Sequence, residues 1–142
     1  MDTVEKKGLT KVHALGRRPL QSMPSYFSLA DAMLVTLRED PVMATTIPGK
    51  IQSYLACAKP ILGALNGEGA KVIKDSGAGL CVSSGDIEGL ANAVLNMSMF
   101  KPEELCAMGR SALNYYNEHF DRERLLDDVE ISFNELLKEQ VK

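Results

Sequence analysis

Two glycine-bearing turns, Pro48-Gly49-Lys50 and Asn66-Gly67-Glu68-Gly69, stand on either side of one short apolar run, Ile61 to Leu65. Pro48 suits the first position of a helix, where a missing N–H costs nothing. Behind it Ile51, Tyr54, Leu55 and Ala58 recur at i, i+3, i+4 and i+7, the signature of one apolar helix face. Lys59-Pro60 ends that helix, because the residue before proline avoids the α region. The second turn must bend sharply before another helix begins at Ala70. Every helix start carries unpaired N–H groups and partial positive charge. A strand flanked by two such starts therefore suits an anion, typically a phosphate.

Other reactive side chains offer less. Gly67-x-Gly69 after a strand, with Asp86 downstream, has part of a dinucleotide-binding pattern, but position 72 is Val where the third glycine belongs. A tight turn at Gly67 and a helix N-cap at Asp86 account for the same residues. His13 and His119 have no G-x-S-x-G nucleophile to serve. Asp31, Glu39, Asp40, Glu68 and Asp86 lie near loop ends, and nothing in their spacing pairs them for acid–base work. Cys57, Cys81 and Cys106 are odd in number and never spaced C-x-x-C, which argues against a disulfide framework and a zinc site. Met97, Met99 and Phe100 read as core filling.

The elements that hold these residues follow from punctuation and periodicity. Residues 2–7 resemble the last turn of a helix closed by Gly8. Lys11 to Leu15 reads as a first strand, ending in the turn Gly16-Arg17-Arg18-Pro19, which exposes two guanidiniums. Pro24 to Ala30 reads as a brief helix and Ala32 to Leu37 as a second strand. Arg38 to Thr46 reads as a polar, irregular loop whose position between a buried strand and a helix makes it a candidate ligand loop. Ile61 to Leu65 and Gly79 to Ser83 are further strands, with a short helix from Ala70 to Asp75 between them. Three helices end the chain: one capped by Asp86, one opened by Pro102, and one from Arg122 with Leu125, Leu126, Val129, Phe133, Leu136 and Leu137 as its apolar residues. Strands alternating with helices imply an α/β fold with a partial Rossmann-like parallel sheet of about four strands, flanking helices and three C-terminal helices.

At 142 residues the chain has the size of one domain, and a chain of that length buries roughly 68–70% of its unfolded surface. Sixteen basic against 19 acidic residues give a net charge of −3, with no basic field to hold nucleic acid. No run of apolar residues is long enough for a transmembrane segment, and the N-terminus lacks the apolar core of a signal peptide. A reducing, cytoplasmic setting is expected, with peripheral contact at the inner membrane face left open.

Several segments together carry a family likeness: Val12-His13-Ala14-Leu15-Gly16, Met23 to Ala32, Pro48 to Pro60, Gly77-Ala78-Gly79-Leu80 and His119-Phe120. In these the chain resembles the C-terminal half of the nucleotide-sugar domain of retaining glycosyltransferases of family four, which have the GT-B architecture, and most closely those of bacterial surface-polysaccharide assembly. The resemblance implies that Gly16 and Arg17 lie by the nucleotide base. It also implies that the Pro48-Gly49-Lys50 helix start and the Gly67-Glu68-Gly69 turn approach the donor's diphosphate and sugar. Many members carry two glutamates eight residues apart; those positions are Thr45 and Ser53 here, and serine can still hydrogen-bond a ribose hydroxyl. The implied function is the donor-binding portion of a transferase that moves a sugar, such as an N-acetylhexosamine from its UDP donor, to a glycan or lipid-linked acceptor with retention. No cofactor and no metal is expected. Residues 1–142 would then be a single truncated domain, inactive alone, completed by a missing N-terminal half or by self-association. In a doubly wound sheet of order 3-2-1-4-5-6 the four apolar runs would be strands three to six. A non-catalytic α/β nucleotide-binding or interaction module, and an NAD-dependent oxidoreductase, are the rival readings.

Overall fold

The structure, a computed structural model, describes residues 2–140. The chain order is α1 (Asp2–Lys6), a 3-10 turn (Leu20–Ser22), α2 (Met23–Leu29), β1 (Met33–Thr36), α3 (Pro41–Ala44), α4 (Gly49–Ala56), β2 (Ile61–Ala64), α5 (Glu68–Asp75), β3 (Gly79–Val82), α6 (Ile87–Ser98), α7 (Pro102–His119) and α8 (Arg122–Gln140). The three strands form one parallel sheet in the order β1-β2-β3, with Met33, Ile61 and Gly79 in register at one end and Thr36, Ala64 and Val82 at the other. That order agrees with strands four, five and six of a doubly wound sheet.

Three strands form among the described residues, not about four. Lys11 to Leu15 is irregular, with Val12 51% and Leu15 55% exposed. A parallel strand is stable when a neighbour takes its hydrogen bonds and helices cover its faces, and this segment acquires neither. The outer edge of β1 is consequently unpaired.

The central strand β2 is covered on both faces, which is why it is apolar throughout and buried at all four positions. On one face Val35, Ile61 and Leu65 meet Ile51 and Leu55 of α4, Val72 and Ile73 of α5, and Ala112 of α7. On the other face Leu62 meets Ala93 and Met97 of α6, with Leu80, Phe100 and Leu105 packed around them. Cover on this second face stops short of β1, where Leu34 and Thr36 are exposed.

The end of α4 sets the spacing between helix and strand. Lys59 N–H donates to the Tyr54 carbonyl (3.2 Å) and Ala58 N–H to that of Leu55 (3.0 Å), a Schellman closure. Ala58 takes the left-handed position, φ 52°, where glycine is usual. Gly109 of α7 lies against the Ala58 carbonyl so closely that a Cβ would overlap it. The Lys59 ammonium donates to the carbonyls of Ser28 (3.0 Å) and Ala30 (2.8 Å), fastening the end of α2 to this joint, and Phe27 meets Tyr54 edge to face with centroids 5.3 Å apart. Lys59-Pro60 thus ends the helix as the sequence indicates.

α8 buries none of its described side chains, and Leu125, Leu126, Val129, Phe133, Leu136 and Leu137 are all exposed. Among the described residues no helix is long and apolar enough to cross a membrane.

Candidate functional site

Because the strands are parallel, their carboxyl ends emerge along one edge, the place where open α/β sheets bind ligands. Two side chains lace that edge together. Ser84, just past β3, gives its hydroxyl hydrogen to the Leu37 carbonyl beyond β1 (2.5 Å), and its N–H donates to Asn66 Oδ1 beyond β2 (3.2 Å).

The starts of α4 and α5 converge at the same edge. Pro48 and Gly67 occupy their N-cap positions, and neither helix is capped by a side chain. Pro48 is thus the residue before the first helical turn, not the first helical residue, and α5 begins at Glu68 instead of Ala70. Gly67, at φ 74°, makes the sharp turn that lets the helix start at Glu68. A Cβ on Gly69 would lie 3.1 Å from Pro48 Cδ and 3.1 Å from Ile51 Cδ1, so the two starts are in contact. Gly67 is wedged against the Ala44 carbonyl, where a Cβ would overlap. At Gly49 the same construction meets open space, leaving that backbone approachable.

Four other helices begin on carboxylates. Asp40 accepts from Val42 N–H (2.9 Å) and Met43 N–H (3.3 Å) at α3, and Asp86 from Gly89 N–H (2.8 Å) at α6. Glu104 accepts from Lys101 N–H (2.7 Å) at α7, and Asp121 from Arg124 N–H (3.1 Å) at α8. A carboxylate both satisfies N–H groups and neutralises the helix dipole. The first turn of α4 holds no acidic residue, and at α5 Glu68 stands in the first turn without capping it, so the first N–H groups of both helices have no side-chain partner to exclude an external anion.

The segment Arg38 to Thr46 is not irregular throughout: Asp40-Pro41 starts the one-turn helix α3, the N-cap and N1 pair that this dipeptide suits. Its residues line a cleft of about 150 Å³ with Arg38, Asp40, Ala44 and Asn66 in the wall, and Arg38 Nη2 lies 3.3 Å from Asp40 Oδ2. Across Asn66 and Gly67 a broader recess of about 560 Å³ runs between α5 and the end of β3, past Lys71, Lys74 and Asp86.

Pro48, Gly49, Lys50, Gly67, Glu68 and Gly69 are thereby gathered at one edge, with Gly69 buried and Gly49, Lys50, Gly67 and Glu68 exposed. Thr45 follows α3 directly, its hydroxyl donating to the Val42 carbonyl (2.9 Å). Ser53 lies one turn into α4 and donates back to the Gly49 carbonyl (3.1 Å). While these bonds hold, each hydroxyl can act toward a ligand only as an acceptor. Gly16 and Arg17 are exposed and line neither cleft. Asn66 and Ser84 were invisible as site residues in the sequence, because their bond spans 18 positions with no local signal.

Cys81 lines the broader recess. Burial pushes its thiol above the ordinary range, partly opposed by a backbone hydrogen bond from Leu65 and by the charge of Lys74. Burial likewise raises the Tyr54 hydroxyl. Among the described residues no cluster of His, Cys, Asp and Glu is arranged to hold a metal ion.

Residues 2–99 match the family described as Glycosyl transferases group 1. Neither a curated protein nor a solved structure matches the chain. The family match runs through all three strands, both uncapped helix starts and α6, well over half of the 142 residues, and the chain accordingly belongs to the group 1 glycosyl transferases.

Proposed function

We propose that this chain is the donor-binding portion of a retaining, family-four GT-B glycosyltransferase of the surface-polysaccharide type. The observation that carries the reading is the meeting of two helix starts, both without a side-chain cap, at the end of the central strand of a group 1 transferase. The N–H groups of Gly49, Lys50, Glu68 and Gly69 take the diphosphate of a UDP-N-acetylhexosamine, with the Lys50 ammonium beside them. Thr45 and Ser53 accept from sugar or ribose hydroxyls, and Gly16 and Arg17 lie toward the base. No metal takes part, since peptide dipoles supply the positive charge. The acceptor is a glycan or a lipid-linked saccharide at the cytoplasmic membrane face. Transfer needs both reactants held in one cleft, so a second domain supplies the facing wall, or a second copy associates through the exposed stripe of α8.

Helix starts contribute roughly 0.3–1 kcal/mol each, up to about 2, and a dissociation constant of 1 mM corresponds to about 4 kcal/mol. UDP alone is therefore expected to bind in the millimolar range, equally with and without magnesium. Titration followed by backbone amide shifts tests this: UDP should move residues 48–53 and 66–71 while NAD does not. Micromolar NAD binding, or UDP shifts that avoid both segments, would overturn the reading.

A further inference from the structure

We infer that two copies of this chain pair by seating α8 of each on the basic, apolar segment of residues 4–15 of the other; this sharpens the self-association named above and is independent of how the donor is bound. Along α8, Leu126, Val129, Phe133 and Leu136 follow one another at spacings of three and four, which places them on one helix face, with Leu125 and Leu137 beside them. Seven residues make close to two turns, so Glu123 and Glu130 form a row along one side of that face and Asp128 and Glu135 a row along the other. All of these side chains are exposed. A second α8 laid on the stripe would set acid against acid, and like charges facing each other suppress a pairing. The complement of the stripe is an apolar surface with basic flanks. Such a surface stands near the other end of the chain, where five of the 16 basic residues but only two of the 19 acidic ones lie between Asp2 and Arg18. There α1 ends in a Schellman closure at Gly8, φ 60°: Gly8 N–H donates to the Glu5 carbonyl and Leu9 N–H to that of Val4 (3.0 Å each), which folds Leu9 back toward Val4. With Val12, Ala14 and Leu15 these two line a recess of about 560 Å³. Lys7 and Lys11, both exposed, adjoin its lining residues in the sequence. Leu9, Val12 and Leu15 are exposed, as is the whole stripe of α8, so neither surface covers the other within one chain. A two-fold pair satisfies both surfaces of both copies at once, setting Lys7 and Lys11 against the acidic rows and the Phe133 ring in the recess.

Sedimentation velocity over a concentration series compares the parent with Lys7→Glu/Lys11→Glu, with Asp128→Lys/Glu135→Lys, and with an equimolar mixture of these two variants. Each variant alone places like charges across both seams and should dimerise at least about tenfold more weakly than the parent. In the mixture every seam of a heterodimer again joins opposite charges, so pairing should return to near the parent's strength, which a variant that had merely failed to fold could not do. Circular dichroism should show the same helix content in all three chains. If Lys7→Glu/Lys11→Glu dimerises as well as the parent, α8 pairs with something other than residues 4–15 and the inference fails. It fails equally if the mixture associates no better than its components. A parent that stays monomeric at every concentration also overturns it; if that monomer floats with phosphatidylserine vesicles and Lys7→Glu/Lys11→Glu does not, the segment is a membrane contact instead. Amide shifts with UDP at residues 48–53 and 66–71 should be alike in parent and variants, so their absence would overturn the donor reading and leave the pairing standing.

Discussion

Replacing Gly67 by alanine places a methyl group on the carbonyl of Ala44 and forces a residue with a Cβ into φ 74°, ψ −146°. That backbone region is close to glycine-only, and holding another residue there costs of order 1–3 kcal/mol. The overlap adds an overpacking cost of typically 1–3 kcal/mol. It cannot be relieved by rotating a side chain, because the obstructing atoms are backbone and Ala44 N–H is bonded to the Asp40 carbonyl (3.0 Å); α3 must shift as a unit. The sum, about 2–6 kcal/mol, is a large share of the roughly 7–20 kcal/mol expected for a domain of this length. At roughly 4 °C per kcal/mol the melting temperature should fall by about 8–24 °C. Gly49→Ala is the matched comparison, since its Cβ would meet open space, and it should change stability by no more than about 0.5 kcal/mol. Urea unfolding followed by circular dichroism measures both. A loss below about 1 kcal/mol for Gly67→Ala, or equal losses for the two variants, would refute the argument that α3 is seated on the β2–α5 turn.

Two further outcomes are expected. Cys81 and Tyr54 have folded-state pKa values raised above 9.0 and 10.0 by burial, so both hold their protons more tightly folded than unfolded; their contribution is fully present below about pH 9 and is lost as pH climbs beyond it. The urea midpoint should be lower at pH 10.5 than at pH 8, and a thiol reagent near pH 8 should modify the exposed Cys106 well before Cys81; equal rates would contradict the burial argument. For self-association, the exposed stripe of α8 favours pairing at about 25 cal/mol per Å² before entropy is subtracted. Sedimentation velocity should show a concentration-dependent dimer that Phe133→Asp abolishes, and one monomeric species at every concentration would overturn it.

The parts of the fold legible in the sequence were those with strong punctuation. Pro60 and Gly79 bracket β2 and β3, Asp86 marks α6, and the long apolar period of α7 and α8 admits no other structure. Lys11 to Leu15 misled because its alternation is real, yet strand formation depends on a neighbour that no local pattern can supply. α3 was readable from Asp40-Pro41 and hidden by its length, a single turn being below what hydrophobic periodicity can register. At the site, the helix starts followed from proline and glycine chemistry. The Asn66–Ser84–Leu37 ties and the wedge of Gly67 against Ala44 are products of packing between distant segments.

The contrast between the four helices capped by a carboxylate and the uncapped α4 and α5 also governs how an anion experiences the molecule at different distances. With a net charge of −3 the chain repels anions from afar, but at physiological ionic strength that repulsion is largely screened beyond about 8 Å. The pull of the α4 and α5 starts acts only within about a turn of each helix. Added salt therefore weakens the barrier to approach before it weakens the attraction at contact, the opposite of the behaviour of a binding surface built on a broad cationic field. Peptide dipoles carry no titrating proton, so this part of the attraction persists unchanged at every pH at which the two helices stay folded.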